Sequence, residues 1–107
     1  MLYANVTVTA SGDTIIIPAV AGKKVRLHEY VVITDADVIF TWKDTAGTSL
    51  SGPLPLASYG GISSAPGAGS YQTPFGLMET SPDAGLVINL SGAANIGGHI
   101  TYTYVVY

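Results

Sequence analysis

The sequence predicts an all-β chain: a single-domain antiparallel β-sandwich or jelly roll of about eight strands, with no substantial helix. Thirteen glycines and six prolines in 107 residues supply frequent turns. Val, Ile and Thr, which favour strands, are abundant between those turns. No window of about 11 residues or more carries a convincing helical period of apolar residues. A chain of this length builds one core, so we expect residues 1–107 to be one jelly-roll domain.

Alternation of apolar and polar residues places four strands in the first half of the chain. They are separated by turns at 11–13 and 21–23 and by a break at 35–37. The predicted strands are Tyr3–Thr9, Thr14–Ile17, Lys24–Thr34 and Val38–Lys43. The faces predicted to be apolar are Ala4, Val6 and Val8 in the first strand; Val25, Leu27, Val31 and Ile33, together with Glu29, in the third; and Val38, Phe40 and Trp42 in the fourth.

The second half is interrupted more often. Residues 51–56, SGPLPL, are too proline-rich for a central strand. Residues 57–76 form a long loop of low charge, which we expect to lie along a partner as an arm, with at most a short strand near 61–64. The other predicted strands are Thr48–Leu50, Leu77–Glu79, Gly85–Ser91 with Leu86, Ile88 and Leu90 facing inward, and Gly98–Tyr107.

The last strand carries no charge on either face. One face holds Ile100, Tyr102, Tyr104 and Val106, and the other holds His99, Thr101, Thr103, Val105 and Tyr107. A strand exposed on one side of a small monomer normally alternates apolar with plainly polar residues. We therefore expect the second face to pack on a partner, for which tyrosine is suited because its ring buries area while its hydroxyl keeps a hydrogen bond.

Low charge extends to the whole chain. Charged residues make up 10% of it, against about 25% in a typical soluble domain. The four cations lie between Lys23 and Lys43, and the net charge is −3, which argues against a nucleic-acid partner. No apolar stretch is long enough to span a membrane. Large uncharged surface indicates contact with another protein.

No catalytic or metal-binding pattern stands out, and we predict a non-enzymatic protein without a cofactor. The chain lacks cysteine and a G-x-S-x-G motif. His28 and His99 are interpreted as strand residues, the latter at a strand start. Asp35 and Asp37 flank Ala36 without the rest of a calcium loop, so they are interpreted as turn formers.

Five segments, in order, resemble a group of small virion proteins of tailed bacteriophages. They are GKKVRL at 22–27, LSGPLPL at 50–56, the GLMET turn at 76–80, LVINL at 86–90 and GGHITY at 97–102. The similarity covers roughly residues 11–106. It implies a jelly-roll fold, usually trimeric, and a role as a capsid decoration (cement) protein on local three-fold axes. Related modules occur in tail fibres, so a receptor-binding or glycan-binding module is the alternative.

The resemblance further implies a homotrimer bound to the major capsid protein on the virion surface, made in the cytoplasm of the host bacterium. Absence of a fibre shaft favours a separate subunit over a fibre tip. The residues expected at a subunit or capsid interface are Tyr59, Tyr71, Phe75, Thr103, Val105 and Tyr107.

Overall fold

The computed structural model describes residues 2–64 and 77–106, and within them it confirms the all-β class. Within those two ranges nine strands follow one another, and none of the described residues is helical. The strands are β1 (Leu2–Val8), β2 (Gly12–Ile17), β3 (Lys23–Thr34), β4 (Val38–Asp44), β5 (Leu54–Leu56), β6 (Gly61–Ser64), β7 (Met78–Glu79), β8 (Leu86–Leu90) and β9 (Ile96–Val106).

The strands form two antiparallel sheets packed as a sandwich. The larger sheet has the order β1-β9-β3-β6, with β7 also paired to β3, and the smaller sheet has the order β2-β8-β4-β5. The pairs are nested, because β1 pairs with β9, β2 with β8, β3 with β6 and β7, and β4 with β5. This is the strand order of a jelly roll. Since β6 and β7 pair with successive parts of β3, they fill one of eight strand positions.

The core lies between the two sheets. Its largest fully buried side chains include Trp42 and Phe40 from β4 and Leu27 from β3. Tyr30 meets the Trp42 ring edge to face, with the ring centroids 5.3 Å apart. The inward residues predicted for β1, β4 and β8 are buried in this core, apart from Ala4 at the margin, which is partly buried. Alternation therefore identified those faces correctly.

The predicted apolar face of β3 is wrong beyond Leu27. A β-bulge between Leu27 and Glu29 leaves His28 as an extra residue and puts two consecutive residues on the outer side of the sheet. Tyr30 and Val32 consequently point into the core, whereas Ile33 is 53% exposed. The bulge reverses the face of every later residue of the strand.

Smaller corrections concern the ends of strands. Residues 48–50 make only an isolated bridge between Ser49 and Lys43. β9 begins two residues earlier than predicted, so His99 lies inside the strand. The proline-rich segment supplies a three-residue edge strand, β5.

In the described part of the chain, no helix is long and apolar enough to cross a membrane.

Candidate interaction surface

The larger sheet turns one face to the core and the other, here called the outer face, away from it. The strand register places outer-face side chains in rows across the sheet. Two adjacent rows contain no Asp, Glu, Lys or Arg, and with Tyr59 they form what we call the uncharged half. The rows are Asn5–His99–Val31–Ser63 and Thr7–Gly97–Ile33–Gly61.

The other end of the outer face is charged, and Lys24, Arg26 and Glu79 pair with one another there. Glu79 on β7 accepts a hydrogen bond from Arg26 at 2.8 Å, and its second oxygen lies 3.5 Å from the Lys24 ammonium. Thr103 is opposite Arg26 and Val105 is opposite Lys24 in the strand register. These two residues therefore lie among paired charges.

His28, the bulge residue, contacts this charged end. Its Nε2 and the Thr103 hydroxyl share a hydrogen bond of 3.0 Å. Burial lowers the pKa of His28, and the nearby Arg26 guanidinium lowers it further. The lowered pKa favours the neutral imidazole at pH 7, whereas Glu29, the second residue that the bulge turns outward, brings an acidic side chain to the outer face.

Tyr59 projects from a tight turn at the β6 side of the uncharged half. Its side chain is 85% exposed, and it borders a shallow depression of about 270 Å³ lined by Val31, Ile33, Ile62 and Ser63. Its backbone has φ 59°, a left-handed conformation that costs an L-residue about 1–2 kcal/mol. The turn thus holds a large aromatic side chain where glycine or asparagine is usual.

Hydrogen bonds on both sides of Tyr59 fix that turn. The Asp37 carboxylate accepts hydrogen bonds from the Ser58 amide at 2.8 Å and the Ser58 hydroxyl at 3.1 Å. The Gly60 amide donates to the Ala57 carbonyl, and the Gly60 carbonyl accepts from the Thr34 amide. Strained backbone persists where its surroundings over-determine it, and such positions concentrate at functional sites.

Asp83 provides the contrast, since it also has a positive φ, of 60°. Its carboxylate accepts a hydrogen bond from the Gly22 amide, and its own amide donates to the Lys23 carbonyl. The Asp83 side chain therefore contributes directly to the fold. Among the described residues the exposed Tyr59 ring has no comparable hydrogen bond, so we treat Tyr59 as a candidate contact residue.

The predicted interface residues separate in the structure. Tyr59, Thr103 and Val105 share the outer face, but Tyr59 lies in the uncharged half and the other two lie at the charged end. Tyr71, Phe75 and Tyr107 are outside the described residues, as is most of the expected arm at 57–76.

The contribution of β3 to this surface was not expected from the alternation of its residues. Ile33 and Val31 reach the outer face only because of the bulge, and strict alternation assigned them to the core. The alternating residues Tyr30, Val32 and Thr34 are equally suited to an inward face of this strand. The local sequence does not show which of the two alternating sets faces the core.

The candidate turn acids are engaged in closing loops. Asp35 accepts hydrogen bonds from the Asn95 amide at 2.8 Å and from Asn95 Nδ2 at 2.6 Å, and these bonds lower the pKa of Asp35. Asp37 holds Ser58, as described above. Over residues 2–64 and 77–106, no three His, Cys, Asp or Glu side chains come together as a metal site would require.

Comparisons of this chain with models of protein families, with curated proteins and with solved structures found no match. The functional interpretation therefore depends on the residues and their geometry.

Proposed function

We propose that this protein is a non-enzymatic structural protein of a tailed-phage virion. In this proposal it is a homotrimeric capsid decoration protein that binds the major capsid protein and stabilises the shell. The order of sequence motifs and the jelly-roll strand order support this interpretation. The contact with subunits or capsid is made through the β6 side of the uncharged half, around Tyr59, Val31 and Ile33.

One observation carries the proposal. Tyr59 is 85% exposed beside the exposed Ile33, on a turn whose left-handed conformation is unfavourable for tyrosine. Tyrosine is among the residues that most often dominate binding energy at protein interfaces. A ring held in this way, next to the apolar side chains of Val31, Ile33 and Ile62, suits the centre of such an interface.

The test replaces Tyr59 by glycine. Tyr59→Gly removes the ring and relieves the backbone, so we expect the free energy of unfolding to rise by about 1 kcal/mol. Binding to capsids assembled without this protein should weaken about tenfold or more. Urea unfolding and co-sedimentation with capsids of the phage that encodes the chain measure the two effects. A gain in stability with a loss of binding is the pattern of a functional residue.

A matched control removes apolar surface elsewhere. Ile15, on the smaller sheet, is 62% exposed, and Ile15→Thr keeps a β-branched residue there. We expect capsid binding to remain unchanged in this variant. The proposal is contradicted if both variants lose capsid binding equally, or if the parent protein itself does not bind capsids. The solution mass of Tyr59→Gly then separates two roles of Tyr59. The mass falls below that of the parent if Tyr59 joins subunits, and it is unchanged if Tyr59 contacts the capsid.

A receptor-binding or glycan-binding module is the second candidate. The shallow depression beside the exposed Tyr59 favours it, because aromatic rings are platforms on which sugars stack. This alternative predicts that purified protein binds host cells and ignores capsids. It also predicts that Tyr59→Gly abolishes binding to host-cell polysaccharide. That pair of results would replace the decoration proposal.

A further inference from the structure

Within residues 2–64 and 77–106, strand β1 forms an outer edge of the larger sheet that lacks the usual protection. Its seven residues, Leu2–Val8, pair with β9 on one side in a continuous register without a bulge. The segment LYANVTV contains neither a charged residue nor a proline. Exposed edges of this kind are templates for pairing with another strand, and proteins usually block them by charge, proline, bulge or short length.

The other edges in the described part of the chain carry these devices. β2 is interrupted by a register shift between Ile15 and Ile17 and bears Asp13. β5 has three residues and contains Pro55. On the far edge of the larger sheet, β6 has four residues, and β7 has two and ends in Glu79. The contrast singles out β1 as an edge left available for pairing.

We propose that β1 pairs antiparallel with β1 of a second copy of this chain, about a two-fold axis centred on Asn5. Two-fold contacts place the same patch of both subunits against each other, so the strand must be complementary to itself. In this register Asn5 meets Asn5, Tyr3 meets Thr7, Ala4 meets Val6 and Leu2 meets Val8.

Two of these pairs are favourable, and the other two bring only apolar residues together. Tyr3 opposite Thr7 is an aromatic and β-branched pair of the kind that stabilises antiparallel strands. The two Asn5 side chains can hydrogen-bond to each other, since an amide both donates and accepts. The register also keeps the faces consistent, because Tyr3, Asn5 and Thr7 are exposed while Val6 and Val8 are buried. No like charges meet, and self-complementarity identifies the partner as a second copy.

This edge contact is independent of the proposed function. β1 and β6 lie at opposite ends of the larger sheet, so the edge can pair while the Tyr59 region makes a separate contact. A single strand pair buries less surface than a standard stable interface. We therefore expect weak association that increases with protein concentration. The particles that associate through β1 are those present in dilute solution, either monomers or trimers.

The experiment uses the register. Asn5→Lys places two lysines directly opposite each other, which destabilises the pair, whereas Thr7→Lys places a lysine opposite Tyr3 of the second copy. The measurement is sedimentation equilibrium at low ionic strength, where charges are little screened. The average molar mass of the parent protein and of Thr7→Lys should increase with protein concentration. For Asn5→Lys we expect the dissociation constant to rise roughly tenfold or more.

A mixture supplies the second measurement. Asn5→Glu should also fail to associate alone, and mixing it with Asn5→Lys should restore association by placing opposite charges at the axis. Hydrogen exchange of the β1 amides that point away from β9 should slow only in samples that associate. The proposal is wrong if the parent mass and β1 exchange do not change with concentration, if Thr7→Lys weakens association as much as Asn5→Lys, or if the mixture fails to associate.

Discussion

At the scale of single residues, Asp44 shows how this fold holds a buried carboxylate. It is 2% exposed at the end of β4. One oxygen accepts hydrogen bonds from the Ala46 and Thr48 amides, and the other accepts from the amide and hydroxyl of Ser81. Burial alone would raise the pKa of Asp44, but these hydrogen bonds outweigh it and hold the pKa below its usual value.

We predict that Asp44→Asn lowers the free energy of unfolding by about 2–3 kcal/mol at pH 7. The asparagine side chain has only one acceptor oxygen, so it cannot accept all four of the hydrogen bonds that the carboxylate accepts. A carboxyl with a lowered folded-state pKa stabilises the fold above its ordinary pKa, near 4, and that stabilisation is lost as pH falls through the folded-state value. Urea unfolding of both proteins between pH 7 and pH 2 should therefore show the difference shrinking on acidification.

Asp13→Asn is the matched control for this prediction. The Asp13 side chain is 55% exposed, and it accepts a hydrogen bond from Asn89 and lies 3.6 Å from the Lys43 ammonium. Exposed ion pairs contribute up to about 1 kcal/mol, so the control should lose less than Asp44→Asn at pH 7. A difference between parent and Asp44→Asn that stays constant down to pH 2 would contradict the assigned role of the charge.

At the scale of strands, the two glycines that open the last motif have different roles. Gly98 has φ 154°, and a Cβ there would lie 1.8 Å from the Val31 carbonyl oxygen on the neighbouring strand. Gly97 is exposed, and a Cβ there would meet nothing within 4 Å. The close approach of β9 to β3 therefore requires glycine at position 98 alone.

We predict that Gly98→Ala destabilises the fold by about 2–4 kcal/mol, because β9 must move away from β3 or adopt strained backbone. Gly97→Ala should be neutral or slightly stabilising, since alanine restricts the unfolded chain. Thermal or urea unfolding of the two variants measures the difference. If Gly98→Ala and Gly97→Ala have similar free energies of unfolding, then β9 does not lie close enough to β3 at Gly98 to exclude a Cβ atom.

Strand positions were largely predictable from the sequence, whereas side-chain faces were predictable only where strands are regular. Alternation placed Val6 and Phe40 in the core correctly. It failed for Ile33, because the bulge at His28 depends on how β3 pairs with β9, which is information the local sequence does not contain. The sequence indicates that Tyr59 is a loop aromatic, but its left-handed turn depends on hydrogen bonds of Ser58 to Asp37 and of Gly60 to Thr34, which only the folded chain brings together.

At the scale of the whole molecule, the two candidate contacts lie on different parts of one sheet. The part of the uncharged half around Tyr59 lies on the outer face beside β6, and the pairing edge is β1 at the other end of the sheet. A three-fold contact and a two-fold contact can therefore exist together. On a closed shell, such a combination would join each trimer to its neighbours as well as to the surface below.

The solution mass tests the trimer separately from the edge contact. We predict that light scattering of dilute protein on a size-exclusion column gives three times the chain mass of 11.0 kDa, because trimerisation would cover part of the uncharged surface. Asn5→Lys should give the same mass, since Asn5 lies on the β1 edge, at the opposite end of the sheet from β6 and the Tyr59 contact. A mass of 11.0 kDa for the dilute parent protein would rule out the trimer. A trimer in the parent but a monomer in Asn5→Lys would instead place the β1 edge in the three-fold contact, which contradicts the two-fold register centred on Asn5.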